Sequence, residues 1–147
     1  MEIDRQVVAP MRVALTRPEP LARPTLSATI RRQLDRVWGE VRAGRLPPHG
    51  RSVCLYDGPP PQVASGVQVE AAFVDLPEVR CAELPGGPVL RAVHAGPYER
   101  MHETYRALEQ RAAELGCRFV GVSWEIYGHW SDDPAELKTE IYQLLAP

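Results

Sequence analysis

Two stretches near the carboxyl end of the chain, SWEIYG at residues 123–128 and KTEIY at residues 138–142, each place a glutamate two residues before a tyrosine. The pairs are Glu125 with Tyr127 and Glu140 with Tyr142. Aromatic and β-branched residues dominate both stretches and turn residues bound them, which predicts strands. Because strand side chains alternate between faces, each glutamate shares a face with its tyrosine. In a hairpin, the two carboxylates and two phenols could converge on one surface suited to an organic cation, although solvated faces would show the same spacing.

The two halves of the chain present the same order of structural signals. Each has a strand pattern, then apolar residues at helical spacing, then two further strand-like runs. The segments are residues 7–17, 26–41, 52–57 and 67–74 in the first half, and residues 88–93, 98–115, 120–127 and 137–144 in the second. When the halves are aligned, VCLY at 53–56 matches WEIY at 124–127, and VQVE at 67–70 matches LKTE at 137–140.

This repetition predicts a single α+β domain over residues 1–147. It would consist of two strand-helix-strand-strand (βαββ) units, at about residues 5–76 and 79–147, related by a pseudo-two-fold axis. Two such units give a mainly antiparallel sheet with both helices on one face and a central cleft where the repeats meet. Pro10 places the first strand at a sheet edge or a bulge.

Composition excludes several classes of protein. A net charge of −2 removes the basic surface expected of a nucleic-acid-binding protein. The three cysteines lack CxxC spacing and the four histidines lack metal-ligand spacing, so neither a disulfide framework nor a zinc site is indicated. No stretch approaches the roughly 20 apolar residues of a membrane span, and the first residues do not read as a signal peptide. We expect a cytoplasmic protein with no metal, no cofactor, no membrane association and no direct nucleic-acid binding.

Four motifs in the second half carry a resemblance to a known family. They are HAGPYE at residues 94–99, WEIY at 124–127, DDP at 132–134 and LKTEIY at 137–142. In this order they resemble the gyrase-inhibitor-like superfamily, which includes the effector-binding domains of multidrug-responsive transcription regulators. The resemblance implies the tandem βαββ fold and a pocket that holds lipophilic cations between aromatic rings above an acidic base.

The resemblance also implies roles for particular residues. Glu125, with Tyr127 beside it, would be the principal acidic ligand-binding residue, and Glu140 and Tyr142 a second acidic and aromatic pair. Tyr56, the counterpart of Tyr127 in the first repeat, would add an aromatic wall. Trp38 lies on the apolar stripe of the first helix and would be core or pocket roof. The family usually has a proline after the Glu-Ile-Tyr run, whereas this chain has QLL at residues 143–145, and without a helix-turn-helix before the first strand it resembles the stand-alone members.

Three functions remain open from the sequence. The first is binding of an amphipathic, cationic aromatic small molecule. The second is hydrolysis, because some stand-alone members resemble hydrolases that open cyclopropane-containing natural products. Glu125 would then be the catalytic acid or base that activates water, with Tyr127 or Tyr142 polarising a carbonyl. The third is a gyrase-inhibitor-like protein-interaction module, which leaves a protein partner possible.

Overall fold

The structure, a computed structural model, describes residues 2–147 and contains nine strands and two α-helices. Their order along the chain is β1 (Ile3–Val8), β2 (Met11–Thr16), β3 (Glu19–Pro20), α1 (Leu26–Arg42), β4 (His49–Asp57), β5 (Gln62–Val69), β6 (Val79–Leu84), β7 (Gly87–Ala95), α2 (Met101–Leu115), β8 (Phe119–Tyr127) and β9 (Lys138–Leu145). Within the described chain, no helix is both long and apolar enough to serve as a membrane span.

All strands belong to one antiparallel sheet, in the spatial order β1-β7-β9-β8-β4-β5-β2-β6, with β3 beside β5. Helix α1 packs mainly on β5 and β2, and α2 packs on β7. Both helices cover the same face, so the predicted α+β fold of two βαββ repeats is confirmed. Helix α2 ends where Gly116 adopts a left-handed conformation (φ +68°), which a glycine takes without steric penalty.

The start of each repeat differs from the prediction. The strand predicted over residues 7–17 is two strands, β1 and β2, separated at Ala9 and Pro10 because proline interrupts a ladder. Strand β6 was not predicted. The two leading strands are exchanged between the repeats: β1 pairs with β7 of the second repeat, and β6 pairs with β2 of the first. The connections cross, and a Cβ on Gly86 would lie 2.7 Å from the Pro10 ring.

The pseudo-two-fold axis passes between β4 and β8. Tyr56 and Tyr127 are equivalent in the two repeats, and Cys54 pairs directly with Glu125. Tyr56 pairs with Val63 on β5, as Tyr127 pairs with Thr139 on β9. Val63 and Thr139 are therefore equivalent positions, and the sequence match of residues 67–70 with 137–140 is out of register. The strand predicted at residues 67–74 accordingly begins earlier, at residue 62.

Each face of the sheet buries its own apolar cluster. On the helix face, α2 covers residues such as Leu90 and Ile141, while α1 covers Val67 and its neighbours. The opposite face buries a cluster that includes Val53, Trp124, Ile126 and Tyr142. Strands β2 and β5 approach each other most closely at Gly66, where a Cβ would lie 1.6 Å from the Ala14 carbonyl oxygen. Only glycine allows β2 to approach β5 this closely.

Candidate functional site

Glu125 lies on the helix face of the sheet, at the pseudo-two-fold axis between the repeats, and is only 3% exposed. Three phenols donate hydrogen bonds to its carboxylate. The Tyr56 hydroxyl lies 3.1 Å and the Tyr127 hydroxyl 2.7 Å from Oε1, while the Tyr105 hydroxyl contacts Oε2. The carboxylate is thus satisfied by neutral donors alone. No Lys or Arg side chain within residues 2–147 forms a salt bridge with it.

The three tyrosines reach Glu125 from three different elements. Tyr127 follows two residues later on β8, so the alternation of the strand places both side chains on one face. Tyr56 occupies the equivalent position on the neighbouring strand β4. Tyr105 reaches the carboxylate from α2, where its helical spacing alone predicts a core residue. The signal that could have identified it is its place seven residues after Tyr98 on the stripe that faces the sheet, above the Glu-x-Tyr strand.

The electrostatics of this cluster follow from its burial. Burial raises the pKa of Glu125, and the hydrogen bonds from Tyr105, Tyr127 and Tyr56 offset only part of that increase. Burial and the neighbouring carboxylate likewise raise the pKa of each of these phenols, which therefore remain neutral donors. Cys54, beneath the carboxylate, has its pKa raised to about 12 by burial and by Glu125, so its thiol stays protonated.

Two features lie at the margin of the cluster. Tyr98, in the turn before α2, is 41% exposed and its ring packs edge-on against Tyr127 with 5.8 Å between centroids. On the side of Tyr56, an open groove of about 300 Å³ is lined by Leu21, Gly58 and neighbouring prolines. Tyr56 both lines this groove and donates to the carboxylate, so Tyr56 and the exposed Tyr98 mark the margin of the cluster.

His94 ties the end of β7 to the start of α2 and is buried. Its Nδ1 lies 2.7 Å from the Thr104 hydroxyl and its Nε2 lies 2.9 Å from the Pro97 carbonyl oxygen. Because a carbonyl only accepts, Nε2 carries a proton and donates it to Pro97, while Nδ1 shares a hydrogen bond with the Thr104 hydroxyl. Both ring nitrogens are engaged, as expected for a structural histidine.

The second acidic pair is on the opposite face of the sheet. Glu140 pairs with Ile126, whereas Glu125 pairs with Ile141, so the two carboxylates are one residue out of phase and point apart. Arg51 and Arg91 form salt bridges with Glu140 at 2.5 and 3.0 Å. The hydroxyl of Tyr142 donates to the same carboxylate at 2.8 Å, and its ring stacks on Trp124. The expectation that both pairs converge on one surface is therefore wrong.

Charge explains why Glu140 behaves differently from Glu125. Partial burial alone would raise the pKa of Glu140, but the hydrogen bonds from Tyr142, Arg91 and Arg51 outweigh it and the pKa is lowered. Glu140 is therefore a compensated ion. The ligand-binding roles of Glu140 and Tyr142 stay predictions, and this geometry does not unite them with Glu125.

Trp38 also lies apart from the Glu125 cluster. Its indole nitrogen donates to the Ser52 hydroxyl at 3.3 Å, and its ring meets His49 edge-on at 4.9 Å. It packs against the apolar cluster beneath α1, which agrees with the core alternative rather than the pocket roof. Across residues 2–147, no group of three or more His, Cys, Asp or Glu side chains is arranged to hold a metal ion.

Comparison with solved structures shows a widespread fold. The C-terminal domain of EcmrR superposes with a TM-score of 0.80 at 16% identity, covering 99% of this chain and 97% of that one. SAV2435, in a structure bound to tetraphenylphosphonium, gives 0.68 at 13%, covering 99% and 94%. A hydrolase encoded by lin2189 from Listeria innocua gives 0.63 at 13%, covering 99% and 92%. No known family profile and no curated protein sequence matches the chain. The chain thus shares the fold of these solved structures over nearly its whole length.

Proposed function

We propose that this domain binds amphipathic, cationic aromatic small molecules at Glu125. One observation carries the proposal: a fully buried carboxylate is held by three neutral phenols and has no cationic partner in the described chain. Structural carboxylates that are buried are ordinarily paired with a cation. Here the counter-charge is left for a ligand to supply.

The energetics favour a delocalised cation over a small one. A cation about 4 Å from the carboxylate gains about 4 kcal/mol at an effective dielectric constant of 20. Its own desolvation opposes this gain, and that penalty is smallest for an ion whose charge is spread over a large apolar surface. Each tyrosine ring face contributes a further 0.5–2 kcal/mol, roughly, by cation–π attraction. Tyr56, Tyr98, Tyr105 and Tyr127 supply such rings around one point.

The cluster as described is closed, so binding requires that a ligand take the place of a phenol. Tyr98 and Tyr56 are the rings nearest to solvent, and rotation of either about its side-chain torsions would expose the carboxylate. The apolar groove beside Tyr56 provides adjoining space for an aromatic substituent. The structure of SAV2435 with tetraphenylphosphonium supports the ligand class, since that protein shares the fold.

The test is titration of tetraphenylphosphonium and of rhodamine 6G into the wild type and into Glu125→Gln at pH 8. Gln retains the shape and the hydrogen-bond acceptor but removes the charge. We expect the variant to bind both cations at least about 30-fold more weakly, because it loses roughly 2–4 kcal/mol of charge attraction. Glu109→Gln is the matched control, as it removes one exposed charge from α2. Equal affinity in the wild type and Glu125→Gln, or no binding by either, would refute the proposal.

The geometry leaves one enzymatic alternative. A carboxyl group with a raised pKa beside phenols is also an environment for general acid–base catalysis. In this alternative Glu125 activates a water molecule and Tyr127 polarises the substrate. Incubation with a cyclopropane-containing electrophile and product analysis separates the two functions. Turnover that Glu125→Gln abolishes would establish hydrolysis, whereas binding without turnover supports a ligand-binding domain.

The protein-interaction alternative finds less support on the surface. A mimic of DNA requires a contiguous acidic face, but five of the acidic residues outside the two glutamate sites form ion pairs with nearby arginines. Such pairs are Glu19–Arg32, Glu78–Arg36, Glu40–Arg45, Glu103–Arg100 and Glu114–Arg111. Paired charges of alternating sign give a weak long-range field.

A further inference from the structure

The Thr139 hydroxyl is the one buried side-chain polar atom in residues 2–147 that has no hydrogen-bond partner. Thr139 is 0% exposed. Burying a hydroxyl without a partner lowers the stability of a fold, so native proteins seldom leave one in this state without a reason.

Its position links this hydroxyl to the Glu125 cluster. Thr139 lies on β9 directly opposite Tyr127 on β8 and His94 on β7, and all three side chains share the helix face. Glu125 is the diagonal neighbour on that face. His94 offers no free nitrogen, because both are already bonded to Thr104 and Pro97. Thr139 therefore borders the floor of the cluster with an unused donor and acceptor.

The pseudo-symmetry shows that packing does not demand a hydroxyl at this position. The equivalent residue in the first repeat is Val63, which is also 0% exposed. Valine and threonine have nearly the same shape, so an apolar residue suits this place in the sheet. The hydroxyl appears only in the repeat whose strand carries the glutamate.

We propose that the Thr139 hydroxyl is a ligand-binding group that makes the Glu125 site prefer aromatic cations bearing a hydrogen-bonding substituent over purely hydrocarbon cations. Rotation of Tyr98, whose ring packs on Tyr127, admits a ligand beside Tyr127, the cross-strand neighbour of Thr139, and the Cβ atoms of such neighbours lie about 5 Å apart. An ester carbonyl or secondary amine of such a ligand can then bond to Oγ1. This proposal rests on the proposed function of the Glu125 site.

The experiment compares Thr139→Val with the wild type, using two cations. Rhodamine 6G carries secondary amines and an ester, whereas tetraphenylphosphonium has no hydrogen-bonding group. We expect Thr139→Val to weaken rhodamine 6G binding about three- to tenfold, the effect of one hydrogen bond, and to change tetraphenylphosphonium binding less than about twofold. Thr139→Ser, which keeps the hydroxyl, should retain the preference. The melting temperature of ligand-free Thr139→Val should rise by about 3 °C, because an unpaired buried hydroxyl is gone.

The other outcomes each have a definite meaning. Equal weakening of both cations would show that the substitution only disturbs packing, and unchanged affinity for both would show that ligands do not use the hydroxyl; either overturns the inference. If tetraphenylphosphonium binds the wild type and not Glu125→Gln in these cases, the proposed function stands without Thr139. If Glu125→Gln binds it as well as the wild type, or if neither binds it, both proposals fall.

Discussion

The two Glu-x-Tyr pairs of this domain are alike in sequence and opposite in chemistry. Glu125 is buried among three phenols with no cation, and its pKa is raised. Glu140, on the other face of the sheet, lies between Arg51 and Arg91, and its pKa is lowered. Each glutamate also accepts a hydrogen bond from the tyrosine two residues later. The local pattern therefore fixes only the Glu–Tyr contact, and the neighbouring elements decide the charge.

This difference suggests a division of labour between the two faces. A carboxylate with two guanidinium partners is complete, and its contribution is to the stability of the fold. A buried carboxylate without a cation weakens the fold when ionised and becomes favourable only when a positive ligand arrives. Variants at these two sites test whether one glutamate contributes to stability and the other to binding.

The largest expected effect on stability is at the paired glutamate. Glu140→Gln leaves Arg51 without a counter-ion and Arg91 with only Asp4, 3.9 Å away, and we expect the free energy of unfolding to fall by about 2 kcal/mol. Urea denaturation at pH 7 measures this loss. Glu78→Gln breaks an exposed ion pair with Arg36 and should change the free energy of unfolding by less than about 1 kcal/mol. Equal losses in the two variants would mean that the Glu140 cluster is an ordinary surface ion pair.

The unpaired glutamate should reveal itself through pH. Its pKa is raised in the folded protein, so the folded state holds this proton more strongly than the unfolded state. The corresponding stability is complete below the ordinary glutamate pKa near 4.5 and is lost as the pH rises through the folded pKa. We expect a fall of up to about 1.4 kcal/mol per pH unit in this window, because one proton is released on unfolding.

Glu125→Gln should abolish this fall, which unfolding titrations from pH 4 to 9 would detect as the difference between the two proteins. Glu140 acts in the opposite window, since a lowered pKa stabilises the fold above 4.5 and that stability is lost as the pH falls. Identical pH profiles for wild type and Glu125→Gln would contradict the raised pKa of Glu125, because its proton affinity would then be that of a solvated glutamate.

The smallest expected effect is from single phenols. Tyr105→Phe removes one of the donors to Glu125 and should cost about 1 kcal/mol where the carboxylate is ionised and less where it is protonated. Tyr142→Phe removes a donor from Glu140, but two arginines remain, so we expect a loss of about 0.5 kcal/mol at pH 5 and at pH 8 alike. Calorimetric melting at pH 5 and pH 8 compares them. A loss for Tyr105→Phe that does not depend on pH would contradict the ionisation of Glu125.

The sequence predicts much of the fold because its signals are local. The helical spacing in each half and the two Glu-x-Tyr strands of the second half are confirmed, whereas the start of each repeat differs from the prediction. The face of Glu140 could not be predicted, since a shift of one residue across the β8–β9 ladder reverses every side chain. Tyr105 was missed because an apolar helix stripe looks the same whether it covers core or a carboxylate. Strand β6 was missed because its pairing with β2 joins residues far apart in the sequence.

The exchange of leading strands has a mechanical consequence for the site at the axis between the repeats. Strand β1 pairs with the second repeat and β6 with the first, and the two connections approach each other closely at Pro10 and Gly86. This exchange opposes a hinge motion of the two halves, because such a motion would break the hydrogen bonds between β1 and β7 and between β2 and β6 at the two ends of the sheet. If Glu125 binds a ligand as proposed, access to the carboxylate then requires rotation of the surrounding aromatic side chains rather than a movement of the two repeats. Structures with and without ligand should therefore differ in a few side-chain torsions and share one backbone.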